Sequence, residues 1–409
     1  MKLSQPTLWY LYDFANSFAS IVVFFYFPLL FIAKGGFELW MWISSSISTL
    51  VLILILPGIG RHIDINGKRM PFLLWGSISM SVILVILGYM FWMGGEFSTL
   101  QKIAVISLYG LFFLLYNGSV SIYTSLLRSV ALDEHAVATS GKGMALGQLW
   151  NVIGLAAMGP IISSGAIIFW LSGKPVAFLL GAIASLVFAL PFFLQGTNGT
   201  VLDVTELEVR PSLYKKIYKE KHIFYFLIGM MLVSDAILTF QIYVTSFFKK
   251  TYFMDDQMVI YVGMVGLFFC LVGWLISPWV VKKLKSAFHA LMFASLFYSF
   301  CFWILSIIPP IQSLALVTMA VSGVFYGLVF VLWRVVYAQM TPKDEQTSYF
   351  SIYTLFERTA SIIWPLLWTV TFLTFSVFWG VIAYRASIFI LGIISLTGFF
   401  VLKYYVKKI

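Results

Sequence analysis

Twelve apolar runs of about 20 residues or more alternate with short polar turns along the 409-residue chain. They cover residues 9–32, 39–59, 72–93, 103–127, 141–168, 176–194, 223–248, 258–280, 288–308, 312–339, 348–375 and 384–405. At a helical rise of 1.5 Å, about 20 residues cross the roughly 30 Å hydrocarbon layer of a bilayer, so each run predicts a spanning helix. Barrel strands are shorter than this, and lipid-exposed backbone must satisfy its own hydrogen bonds, so an all-α membrane protein with 12 transmembrane helices is expected. The longest polar stretch, residues 195–221, is both acidic and basic and divides the runs six and six. The expected organisation is an N-terminal six-helix bundle (1–194), a linker (195–221) and a C-terminal six-helix bundle (222–409). Pro160 is expected to break the fifth span near its outer end.

Composition agrees with lipid as the main solvent, since 61% of residues are hydrophobic and 10% charged, more apolar surface than a water-soluble fold buries. A formal charge of +10 would suit a nucleic-acid binder, but the positions of the charges exclude that reading. Of the 26 Lys and Arg residues, only Lys34, Lys102, Lys174, Lys249, Lys250 and Arg385 fall toward one set of helix ends. The remainder crowd the alternate set, a positive-inside pattern that predicts a cell-membrane protein with both termini cytoplasmic and lipid as its surroundings. Cys270 and Cys301 lie inside predicted spans and supply neither a disulfide framework nor a zinc site. The four histidines sit in or beside turns, far apart in sequence, so no metal, no other cofactor and no membrane-embedded enzyme chemistry is expected. The first apolar run carries Asp13 and Asn16 and is too long for the core of a cleavable signal peptide. No phosphate-binding Gly-x4-Gly-Lys-Ser/Thr loop occurs, so ATP is not expected to drive the protein directly.

The turn between the second and third spans, PGIGRHIDINGKRMP at residues 57–71, is the most informative polar segment. Gly60 lets a helix end approach a neighbour, Asp64 can face the positive end of another helix, and Gly67 permits the turn. Lys68 and Arg69 are expected to lie against anionic lipid. The spacing Gly60-x3-Asp64-x2-Gly67-Lys68-Arg69 resembles the loop between helices 2 and 3 of the major facilitator superfamily of secondary transporters. Further segments resemble one branch of it, the vacuolar-effluxer-like transporters (autophagy-related amino-acid effluxers) and their prokaryotic relatives. These are WYLYDFANS at 9–17, YTSLL at 123–127, SGKGMALG at 140–147, Ser234-Asp235-Ala236, and Tyr326-Gly327, Arg334, Pro342, Tyr349-Phe350, Tyr353 and Pro365-Leu366. Arg128, Ala236 and Glu357 depart from the branch pattern. The resemblance implies two pseudo-symmetric bundles, alternating access and a small solute such as an amino acid, with efflux as one direction and a drug or sugar as other cargoes. A lipid-moving or lipid-sensing protein on the same fold is the alternative.

Ionisable groups inside spans are functional candidates because their burial is costly. Asp13 and Asp235 lie in the first spans of the two halves and are expected to face a shared cavity, where either would carry a proton or hold a substrate ammonium. Asn16, Tyr116, Asn117, Gln148, Asn151, Gln241, Tyr326 and Tyr353 would line that cavity with amides and aromatic rings. Glu357 and Arg358, adjacent on the eleventh span, point about 100° apart and should reach different helices. Arg358 is expected to latch onto Asp64 or Asp13 when the cavity opens outward, and Arg334 to pair within a loop, reach the membrane interface or take part in the gate. Gly143, Gly147 and Gly154, like Gly323 and Gly327, are read as sites of close helix packing. The expected partners are a small-molecule solute, protons and membrane lipid, with the chain acting as a monomer.

Overall fold

The computed structural model describes residues 3–36, 38–131, 135–197, 213–376 and 380–406. Among them every regular element is a helix: α1 (Gln5–Ala33), α2 (Glu38–Asn66), α3 (Arg69–Trp92), α4 (Thr99–Ser125), α5 (Leu127–Val130), α6 (Ala136–Ser163), α7 (Val176–Gln195), α8 (Leu213–Lys219), α9 (Lys221–Tyr252), α10 (Asp256–Leu284), α11 (Ala287–Ile307), α12 (Gln312–Met340), α13 (Gln346–Ser376) and α14 (Gly380–Tyr405). Each of the twelve predicted spans coincides with one long helix, and α5 and α8 are short additions in turns. Nine of the helices are long and apolar enough, among the described residues, to cross a membrane. Large apolar side chains stay exposed along their flanks, as at Leu54 (79%) and Trp279 (62%), the pattern of surfaces solvated by lipid.

Helix ends follow local chemistry. Ser98 accepts from Gln101 N while Gln101 Oε1 accepts from Ser98 N, a capping box that starts α4. Ser286 and Asp255 cap α11 and α10 with their side chains. Pro160 does not break the fifth span as expected. The helix runs through it and stops at Ser163, before Gly165 at φ +70°. Pro160 removes one intrahelical donor and crowds the carbonyl four residues before it, yet the helix continues for about one further turn.

The chain forms two compact units, each with its own interior. Unit 1 comprises Met1–Leu132, Lys142–Thr205 and Lys343–Ile352. In it α1 packs on α7, α2 on α4, and α3 on both α4 and α7, around an aromatic core in which Phe27 stacks on Tyr109 at 4.4 Å and meets Phe91 edge-on. Unit 2 comprises Asp133–Gly141, Glu206–Pro342 and Tyr353–Ile409. Here α10 packs on α12, α9 on α14, and α11 on α12 and α14. The α10–α12 contact is backbone on backbone: a Cβ on Gly323 would lie 2.4 Å from the Gly266 carbonyl, and one on Gly327 would lie 2.3 Å from that of Cys270. Both glycines act as the close-packing positions expected. On α6, Gly143 and Gly154 fit against the Trp9 and Phe18 rings, and Gly147 against Asp13 and Ser17.

Candidate functional site

Within unit 1 the α2–α3 turn builds a buried cage around Asp64. Gly67 takes the left-handed φ of +64° that ends α2, and α3 restarts two residues later at Arg69. Asp64 Oδ1 accepts from Arg69 Nη2 at 2.6 Å and from Thr347 N at 3.2 Å, while Oδ2 accepts from Ser348 N and Ser348 Oγ, both at 2.7 Å. Thr347 and Ser348 belong to the first turn of α13, whose amides have no partner inside their own helix and carry the positive end of its dipole. Arg69 Nε donates to Thr347 Oγ1 at 2.7 Å, and that hydroxyl also meets Ser125 Oγ at 3.1 Å. Gly60 allows the approach, since a Cβ there would lie 2.9 Å from the Thr347 carbonyl and 3.1 Å from Ser348 Cα.

One expectation changes here. Arg69 is 1% exposed and neutralises Asp64 instead of facing lipid, while neighbouring Lys68 remains exposed. Arg69 and the α13 amides together engage both Asp64 carboxylate oxygens. An internal pair five residues apart closes more readily than one that must be drawn from a distant helix. Ser125, Thr347 and Ser348 join the site without having been singled out by the sequence. A hydroxyl pair closely following the acidic turn Asp344-Glu345 was the available signal.

The signature at the start of α1 also has a physical role. Trp9 stacks on Tyr123 at 4.4 Å and donates Nε1 to the Tyr123 carbonyl. Tyr12 lies against Tyr123, Phe192 and Phe193, with its hydroxyl 3.5 Å from Ser77 Oγ. The aromatic positions thus join α1, α4 and α7, leaving the polar ones for other work. Asp13 is half-buried. Asn16 is buried, and its Oδ1 has no partner among the described residues. Asn117 donates Nδ2 to the Phe113 carbonyl, which orients its amide and leaves Oδ1 without a donor among the described residues. Tyr116 is half-buried, edge-on to Phe24. The side chains of Gln148, Asn151 and Gln241 lie outside the described residues.

In unit 2, Asp235 on α9 is 0% exposed. Its Oδ1 has Thr239 Oγ1 at 3.4 Å, and its Oδ2 has no hydrogen-bond partner among the described residues. Tyr353 is buried at the start of the unit 2 portion of α13, tilted against Tyr337 at 5.2 Å. Glu357, Arg334 and Arg358 all act on it electrostatically, so these four residues of α12 and α13 form one polar cluster. Tyr326 lines a cavity of about 290 Å³ within unit 2.

Two compact units built from twelve long helices, with acids buried inside each, define a multi-pass α-helical membrane protein. The sequence matches the family model of the Major Facilitator Superfamily over residues 14–365, and the chain belongs to that superfamily. Its structure is similar to that of a bacterial homologue of the iron transporter ferroportin in an outward-facing state, with TM-score 0.74, 16% identity, and 97% of this chain and 99% of that one covered. It is also similar to the human organic anion transporter MFSD10 (TM-score 0.64, 15% identity, 97% and 98% covered). A variant of the E. coli fucose:proton symporter FucP gives TM-score 0.73 at 10% identity, with 99% and 98% covered. No curated protein matches the sequence.

Proposed function

We propose that the protein is a secondary active transporter that moves a small solute across the cell membrane by alternating access, with both termini in the cytoplasm. Residues 1–194 and 222–409 are the two rocking bundles, joined by the linker at 195–221. The observation that carries this reading is the Asp64 cage in a chain of this superfamily. The first residues of α13 are bonded inside unit 1, while the helix from Tyr353 onward belongs to unit 2. Rocking of the bundles pulls on that first turn, so the cage is a latch made and released in each cycle.

The cargo is an amino acid or a similar amphipathic metabolite. The branch-like segment WYLYDFANS supports this, as do the buried acceptor oxygens of Asn16 and Asn117 within unit 1, which a cargo ammonium would satisfy. The similar structures are named for iron, organic-anion and fucose:proton transport, so the fold by itself accommodates many cargoes. A carboxylate as deeply buried as Asp235, with one weak partner, is relieved by taking up a proton, which supports proton coupling there.

The test is a thermal-shift screen of the purified full chain against amino acids, sugars and drugs at several pH values, followed by counterflow in proteoliposomes. A stabilising amino acid that also exchanges across the bilayer supports the reading. Lipid flipping without any solute exchange contradicts it. Asp235→Asn is expected to flatten the pH dependence of flux, and a normal pH profile in that variant contradicts proton carriage by Asp235.

A further inference from the structure

The cavity inside unit 2 has a chemistry of its own. It lies among α9, α10, α11 and α12, and its wall carries Phe240, Cys270, Tyr298, Met319, Ser322 and Tyr326. Edge-to-face contacts fix the rings in place: Phe240 meets Phe302 at 5.6 Å and 81°, and Tyr298 meets Phe302 at 5.0 Å and 84°. Tyr326 is braced against Phe330 at 4.7 Å. The Ser322 hydroxyl lies beside the Tyr298 side chain, which puts polar atoms on an otherwise aromatic and sulfur-rich surface.

Glycine makes the space. Gly266 and Gly323 bring the α10 and α12 backbones together at the floor, and Gly263 opens the wall, because a Cβ there would meet no atom within 4 Å.

We infer that this cavity is a binding subsite for the ring of an aromatic solute bearing one hydrogen-bonding group, such as an indole or a phenol. Rigid ring edges, a thioether and a thiol favour a flat polarisable group. The volume of about 290 Å³ lies at the small end of ligand pockets. The hydroxyl-bearing side chains Tyr298, Ser322 and Tyr326 make part of the wall polar, which suits a ring with a polar substituent better than a plain lipid chain. The inference rests on the transporter reading and narrows its cargo to solutes with an aromatic end.

The test is binding of 5-fluoroindole to the full chain in nanodiscs, followed by fluorine NMR with empty nanodiscs as background. Gly263→Leu is the diagnostic variant, since its side chain enters open space and should leave the melting temperature unchanged or raised. Saturable binding by the native chain, weakened at least tenfold in Gly263→Leu, is expected. Equal affinity in both proteins, or binding no greater than in empty nanodiscs, overturns the inference. Displacement of the indole by decanol as readily as by p-cresol also overturns it, by making the occupant an acyl chain. Because binding is read without flux, the two readings separate: exchange of another solute with no indole binding removes this subsite alone. Indole binding with no exchange of any solute removes the transporter reading and leaves the site.

Discussion

Asp64 accepts four hydrogen bonds from three residues while fully buried. Removing one member of a buried ion pair costs about 3–5 kcal/mol, because the other charge is left uncompensated. Asp64→Ala should therefore lower the thermal unfolding temperature clearly, by more than Lys68→Ala, whose side chain is exposed. Equal effects would mean that the cage contributes nothing to stability. The glycines give a second contrast. Gly323→Ala drives a methyl to 2.4 Å from a backbone carbonyl and should cost about 1–3 kcal/mol, whereas Gly263→Ala meets no atom and should be near neutral. Paired melting curves in detergent check both. That Asp64 faces a helix N-terminus was legible from the turn itself. Which helix it faces was not, because Ser348 lies 284 residues away and no local pattern encodes that distance. The fate of Arg69 was misread for a related reason: a basic residue in a turn looks alike whether it meets lipid or a buried acid.

The helices themselves were legible because hydrophobic length alone specifies a membrane span. Their ends were less so. The α10–α11 turn lacks the Asp and the second Gly of the α2–α3 turn, yet Lys285 takes φ +59° directly after α10, much as Gly67 takes +64° after α2. The two turns thus share a backbone conformation that their sequences conceal. The left-handed conformation costs a lysine about 1 kcal/mol of strain, so Lys285→Gly should raise stability by several tenths of a kcal/mol up to that amount, read as a higher melting temperature. A drop would mean that the Lys285 side chain holds the turn. Corresponding helix pairs repeat the likeness: α2 and α4 line an open groove of about 530 Å³ beside Ser44, Ser48 and Gly110, and α10 with α12 borders the cavity beside Gly266 and Gly323. Small residues at both seams let the helices touch, by Ser48 donating to the Gly110 carbonyl in one and by bare backbone contact in the other.

At the scale of the whole molecule, the two units each take in a short segment from the opposite half of the sequence: Lys343–Ile352 in unit 1 and Asp133–Gly141 in unit 2. The second is held as closely as the first, since a Cβ on Gly141 would lie 2.5 Å from the Trp274 carbonyl. Division of the chain at its long polar linker does not anticipate this exchange, which depends on where helices begin in space. The latch proposed at Asp64 is one of these exchanged ends, and it can be tied shut. Ser125 Oγ and Thr347 Oγ1 are 3.1 Å apart, so Ser125→Cys with Thr347→Cys places two thiols within reach of a disulfide. The decisive measurement is flux of the solute found by thermal-shift screening, in proteoliposomes of this double variant before oxidation, after oxidation and after reduction, with each single variant as a control. Release of the latch in every cycle predicts that oxidation stops flux in the double variant alone and that reduction restores it. Undiminished flux through the fully cross-linked protein would contradict the account.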